Sequence, residues 1–180
     1  MRKSSHPKKG LVIIYTGNGK GKTSAALGVA LRAAGHGMKS VMIQFIKGPW
    51  KSGELRAAKC LKGLISIFPM GGGFTWAAKD RRENTRLAKQ AWEFGLKKLM
   101  SKKYDIVIFD EINYAIDYGY LDEKEVLSRL KSKPPKVHVI LTGRNAKSGL
   151  IQFSDLVTEM KEVKHPFKTQ GLLAHAGIDF

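Results

Sequence analysis

No stretch constrains this chain more than Gly17-Asn18-Gly19-Lys20-Gly21-Lys22-Thr23. It follows an apolar run, Leu11-Val12-Ile13-Ile14-Tyr15, and opens a helix-like stretch from Ser24 to Leu31. Strand, glycine loop and helix form the setting a phosphate cradle requires. Glycines let consecutive backbone N–H groups turn inward, the helix N-terminus adds partial positive charge, and Lys22 reaches the phosphate oxygens. Thr23 offers its hydroxyl to a magnesium ion. The general pattern GxxxxGK[ST] asks for glycine at position 16, where this chain has Thr16. A merely lysine-decorated turn would not need this strand-to-helix setting. The loop is therefore read as binding a nucleoside triphosphate, through Gly17, Asn18, Gly19, Lys20, Gly21, Lys22, Thr23 and Ser24.

At 180 residues the chain is long enough to bury a proper core and is expected to form one domain. No apolar run approaches the ~20 residues that span a bilayer. Residues 1–10 are basic, lack the apolar core of a signal peptide, and are expected to form a flexible arm ahead of a domain over 11–180. The single cysteine, Cys60, excludes an internal disulfide and fits a reducing compartment, so a cytoplasmic location is expected. Cys60 itself is read as packed on a short amphipathic helix.

The formal charge of +17 attracts anions generally. The lysines are spread along the chain in pairs such as Lys97-Lys98 and Lys102-Lys103, with no single basic block or arginine–aromatic stripe. That distribution suits solvated helix faces, attraction of ATP, or docking of an acidic protein. Sequence-specific nucleic-acid binding is not expected.

Apolar runs alternate with helical patterns along the rest of the chain. Residues 40–45, 64–68, 104–111, 137–144 and 156–160 read as further strands, the last at an edge. Helices are expected over 54–61, 80–103, 122–131 and 148–153, with Asp122 as a cap and Leu87, Ala91, Phe94 and Leu99 on the buried stripe of the longest. Everything from His165 onward reads as irregular. The alternation predicts an α/β fold, a mostly parallel sheet with helices on both faces. Ligands of such sheets lie beyond the carboxyl ends of the strands.

Two stretches reach that end of the sheet. Ile106-Val107-Ile108-Phe109 leads into Asp110-Glu111, an apolar strand tipped with two acids. Opposite Thr23, such carboxylates supply the oxygen donors that hold magnesium against a triphosphate. Asp110 and Glu111 are both candidate ligands; successive strand residues face opposite sides, and the sequence does not choose between them. Met70-Gly71-Gly72-Gly73-Phe74-Thr75-Trp76 presents two aromatic rings at i, i+2, which point the same way on an extended segment. The residues alone leave open a wall for a flat apolar ligand or a cover over the core edge. Arg32 and Arg144 are candidates for phosphate or ribose contacts, with surface ion pairing the equal alternative.

The ordered set of GNGKGKT, Lys47-Gly48 with Gly53-Glu54, GFTW, DIVIFDEI and Gly177-Ile178-Asp179-Phe180 resembles the ATP:corrinoid adenosyltransferases of the bacterial cobalamin pathway. In that family Thr16 is no anomaly. The resemblance implies a single-domain P-loop, RecA-like fold. It implies transfer of the 5′-deoxyadenosyl group of ATP to the Co(I) of a corrinoid, with release of triphosphate. Lys22, Thr23 and Glu111 are then the candidate catalytic residues, and magnesium accompanies ATP. Phe74 and Trp76 would displace the lower axial ligand of the corrinoid, easing reduction of Co(II). Family members bind ATP with the triphosphate reversed, so that C5′ faces the acceptor, and are often dimers. The stretch Ala77-Ala78-Lys79 after GFTW departs from the family's more polar, acidic pattern. The five histidines are scattered, none in a D-x-H-x-x-G pattern, and none is assigned to cobalt.

Cob(I)alamin is a strong nucleophile, so no general base is required, and none can be assembled from the sequence. An acidic donor such as reduced flavodoxin is an expected visitor for Co(II) reduction. Two other readings compete: a RecA-like ATPase in which Glu111 activates water, and a nucleic-acid-binding module with regulatory ATP. The first yields ADP and phosphate rather than triphosphate.

Overall fold

A computed structural model describes residues 9–48, 52–61, 63–73 and 81–179. The β-branched and apolar runs become strands β1 (Val12–Thr16), β2 (Ser40–Gln44), β3 (Ile65–Pro69), β4 (Ile106–Asp110), β5 (His138–Thr142) and β6 (Leu156–Glu159). They form one sheet in the order β3-β2-β4-β5-β1-β6, and every pairing is parallel. The helices are α1 (Lys22–Gly35), α2 (Gly53–Cys60), α3 (Arg81–Met100), α4 (Ile112–Asp117), α5 (Glu123–Lys131), α6 (Ser148–Phe153) and α7 (Pro166–Gln170).

The two-residue period of the strands sorts the core into two layers. Val107 and Phe109 of β4 join Val41, Ile43, Val139 and Leu141 beneath α3, α4, α5 and α6. Ile106 and Ile108 turn the other way, to the alanines of α1 (Ala26, Ala30, Ala33, Ala34) and Ala58 of α2. Small side chains let α1 lie close to the sheet, and α1 begins where the glycine loop ends. The expected α/β sheet with helices on both faces is thus present, and it is wholly parallel. The edge strand β6 is exposed along its length. No helix among the described residues is long and apolar enough to cross a membrane.

Three local expectations need correction, and one helix is unanticipated. The stretch after His165 contains α7, whose start is set by the His165 side chain accepting from Phe167 N and by Pro166, and whose end is set by Gly171 in the left-handed region. Helix α4 has no strong periodic signal; it follows directly from Glu111, which is itself left-handed at φ 64°. The buried stripe of α3 is Asn84, Ala88, Ala91, Trp92, Gly95 and Leu99; Leu87 and Phe94 flank it half-buried. Cys60 is exposed, because α2 buries only Ala58.

Gly95 shows how tightly α3 sits on the sheet. A Cβ there would lie 2.4 Å from Phe109 Cε1, and Phe109 is fully buried against Trp92 at 5.1 Å between rings. Alanine would gain about 1 kcal/mol of helix propensity, but overpacking a core costs about 1–3 kcal/mol. Gly95→Ala is therefore expected to lower stability by about 1 kcal/mol in urea titration; an increase would show that the helix can move off the strand freely.

Candidate functional site: a nucleotide cradle at the strand ends

The glycine loop is shaped by what it packs on. Gly19 N donates to Met160 O at 2.7 Å, so the loop lies against the chain leaving β6. A Cβ on Gly17 or Gly19 would fall 2.5 or 2.7 Å from that same carbonyl oxygen, a distance no side chain can occupy. Thr16, anomalous against the general motif, has a task of its own: its Oγ1 accepts from Ala146 N at 3.2 Å. That bond ties the end of β1 to the segment following β5.

Lys22 opens α1 and is only 7% exposed. Its ammonium donates to Gly17 O (3.0 Å) and Gly19 O (2.7 Å), which leaves one N–H for a further acceptor. Burial lowers its pKa, and the charge of Glu111 works against that shift. Beside it, Thr23 Oγ1 donates to Asp110 Oδ1 at 2.8 Å. Asp110 is wholly buried at the tip of β4. The same Oδ1 accepts from Thr142 Oγ1 at 2.7 Å, and Oδ2 accepts from Gln44 Nε2 at 3.3 Å. Thr142 in turn accepts from Glu111 N at 2.8 Å. Burial raises the Asp110 pKa, opposed by these donors.

Glu111 does not continue the strand. Its left-handed backbone takes it out of the strand's alternation, so that alternation does not sort the two acids; the charges of Lys22 and Arg144 act to lower its pKa. Its Oε2 is buried without a partner. Burial, and then the neighbouring charge of Asp110, push this carboxyl up to about 7.

Lys22, Thr23, Gln44 and Glu111 border a cavity of about 1050 Å³, with the buried Asp110 and Thr142 behind its wall. Asn18, Gly19, Lys20, Gly21, Lys22, Thr23 and Ser24 line one side and Glu111 another, while Gly17 contributes its carbonyl to Lys22. Of the two arginines, Arg144 lines the cavity, and Arg32 stands exposed in the last turn of α1. Among the described residues no histidine lines it. Phe74 and Trp76 lie outside the described residues. Sequence reasoning gave no role to Thr142 and Gln44, which hold Asp110; Lys47 and Glu54, noted there only for the family likeness, pair at 2.5 Å on the cavity wall. The polar residues closing otherwise apolar strands β2 and β5 were the available signal.

The donor set fits magnesium. Thr23 hydroxyl and Asp110 carboxylate, in contact at the first turn of α1, and the unpartnered Oε2 of Glu111, a residue on the cavity wall, are all hard oxygens. Among the described residues no three His, Cys, Asp or Glu side chains gather as a cage. A cation held here would need phosphate and water to complete its shell, as magnesium does in nucleotide sites.

Comparison with known proteins agrees with this geometry. Residues 8–180 match the family model described as ATP:corrinoid adenosyltransferase BtuR/CobO/CobP. A corrinoid adenosyltransferase of Sinorhizobium sp. is 43% identical over 175 residues, covering 96% of this chain and 81% of that protein. Those of Pseudomonas aeruginosa and Escherichia coli K12 are 40% and 38% identical over 173 residues, each covering 96% of this chain and 85% and 87% of theirs. In fold, the chain is similar to the flagellar accessory protein FlaH of Methanocaldococcus jannaschii, at TM-score 0.54 and 14% identity over 87% of this chain and 73% of that one. A glycine cradle, a buried acid beside its threonine and a match over nearly the whole length converge: the chain belongs to the ATP:corrinoid adenosyltransferase family.

Proposed function

We propose that this protein binds MgATP in the cradle and aligns its ribose C5′ with the Co(I) of a corrinoid substrate. The cobalt electron pair forms the Co–C5′ bond while the C5′–O bond breaks, and triphosphate leaves with the negative charge. The observation that carries this reading is the Lys22–Thr23–Asp110 cluster opening into a cavity roomy enough for a nucleotide and part of a second substrate.

The chain's own contribution is positioning and electrostatics. Loop N–H groups, Lys20, Lys22 and the N-terminus of α1 receive the triphosphate, while Asn18, Ser24 and Arg144 border the nucleoside. Thr23 and Asp110, with Glu111 across from them, would hold magnesium, which when bound neutralises part of the phosphate charge. Gln44 and Thr142 keep the Asp110 carboxylate aimed at Thr23. Residues 11–180 act as one unit in this reading.

Phe74 and Trp76 are proposed to meet the lower face of the corrinoid and exclude its axial ligand, which eases Co(II) reduction. A reduced flavodoxin is proposed as electron donor, on the strength of the +17 charge. A cytoplasmic homodimer is the proposed working form; the exposed edge strand β6, with Leu156 and Val157, offers apolar surface for a partner copy.

Product analysis tests the chemistry directly. With MgATP and chemically reduced cobalamin, a light-sensitive cobalt–carbon bond and triphosphate are expected in equal amounts; ADP and phosphate with unalkylated cobalt would favour the ATPase reading. Lys22→Ala is expected to abolish both ATP binding and turnover. Trp76→Ala should slow adenosylation from Co(II) far more than from Co(I), and flavodoxin-driven turnover should decline with ionic strength; equal losses, or no salt dependence, would remove those two assignments. Glu111 supplies a pH signature. Its folded pKa of about 7 lies above the ordinary 4.5, so the folded protein binds more protons than the unfolded chain between these values, and stability falls as pH rises through that window. Because each pH unit of displacement corresponds to about 1.4 kcal/mol, Glu111→Gln should be more stable than wild type by at least about 1 kcal/mol at pH 8. The gain should vanish near pH 4, as thermal denaturation across pH would record.

A further inference from the structure

The nucleotide cavity has a fourth wall made by the chain beyond α7. Ala174, Gly177, Ile178 and Asp179 line it alongside the glycine loop. Asp179 Oδ1 is ion-paired with the ammonium of Lys20. Its Oδ2 accepts from His175 N at 2.8 Å, and Asp179 N returns a bond to His175 O at 2.9 Å. Gly177 supplies the positive φ of 81° within this turn. One carboxylate therefore closes the turn with one oxygen and grips the phosphate loop with the other.

Little else holds the segment in place. Residues 171–178 are exposed, Leu173 at 75% and Ile178 at 80%. Among the described residues, its polar ties to the rest of the chain are Gly171 N to Phe167 O and Leu172 N to Pro166 O, both at the end of α7, and the Lys20–Asp179 pair. Lys20 is also the more accessible cation of the loop: its side chain is 53% exposed, whereas Lys22 donates to two carbonyls. An ammonium that faces a single carboxylate will exchange it for a polyphosphate carrying several charges.

We propose that the turn 175–179 is a displaceable strap, in which Asp179 competes with the triphosphate of the nucleotide for Lys20 and so sets nucleotide affinity. The strap rests on the nucleotide reading of the loop. It gives Asp179 a negative contribution to binding, the reverse of what a supporting wall residue would make. Filling the cradle releases the turn and widens the cavity on this side.

MgATP titration by calorimetry separates the possibilities. Asp179→Asn, which keeps shape and removes charge, is expected to bind MgATP about two- to fivefold more tightly than wild type, the range of one partly exposed ion pair. In a Lys20→Ala background the same change should have no effect. Hydrogen exchange gives a second readout in the unaltered protein: the Ile178 and Asp179 amides should exchange faster once MgATP is added. Unchanged or weaker binding by Asp179→Asn, or slower exchange on adding MgATP, would overturn the strap while leaving the nucleotide site standing. Failure of the wild-type protein to bind MgATP at all would overturn both.

Discussion

A single buried carboxylate organises the functional end of this molecule. Asp110 accepts hydrogen bonds from Thr23 on the first turn of α1, from Thr142 at the tip of β5 and from Gln44 at the tip of β2. Burying a charge without partners is costly enough that the group would sooner take up a proton. Three neutral donors offset that cost only if β2, β4, β5 and the glycine loop end at the same level. The acid thus fixes the relative height of the elements that must meet around a triphosphate, and its raised pKa records how much solvation it has given up.

The remaining charges fall into two groups by how firmly they are held. Lys22, Asp110 and Glu111 are buried or nearly so and are positioned by backbone or by short side-chain hydrogen bonds. Lys20 and Asp179 are paired at the rim, on segments with few other anchors. A fixed floor with an adjustable rim suits a reaction that must first admit a highly charged nucleotide and then a much larger second substrate. In alkyl transfer to a strong nucleophile the protein has no proton to move at the reacting carbon, which places the emphasis on alignment and leaving-group charge.

Packing supports this arrangement from both sides of the sheet. The alanine-rich face of α1 allows its N-terminus close access to the strand ends, and Gly95 lets α3 press on Phe109 directly beneath Asp110 in sequence. The loop glycines are needed where the backbone of Met160 passes within contact distance. Their absence of side chains is thus a packing requirement as well as a phosphate-binding one.

The sequence by itself determined the glycine loop and its lysine, the acid-tipped strand, the alternating α/β plan and the family likeness. All of these are local patterns, carried by residues a few positions apart whose spacing sets backbone shape and side-chain direction. Tertiary structure alone decided that β5 lies between β1 and β4, and hence that Thr142 bridges Asp110 to Glu111. It also decided that Glu111 leaves the strand in a left-handed turn, that Thr16 is used by Ala146, and that Asp179 reaches Lys20 across the cavity. Those contacts join residues 31 to 159 positions apart, and no periodicity in a linear chain encodes which strand will settle beside which. Only the simultaneous burial of both sheet faces selects that order.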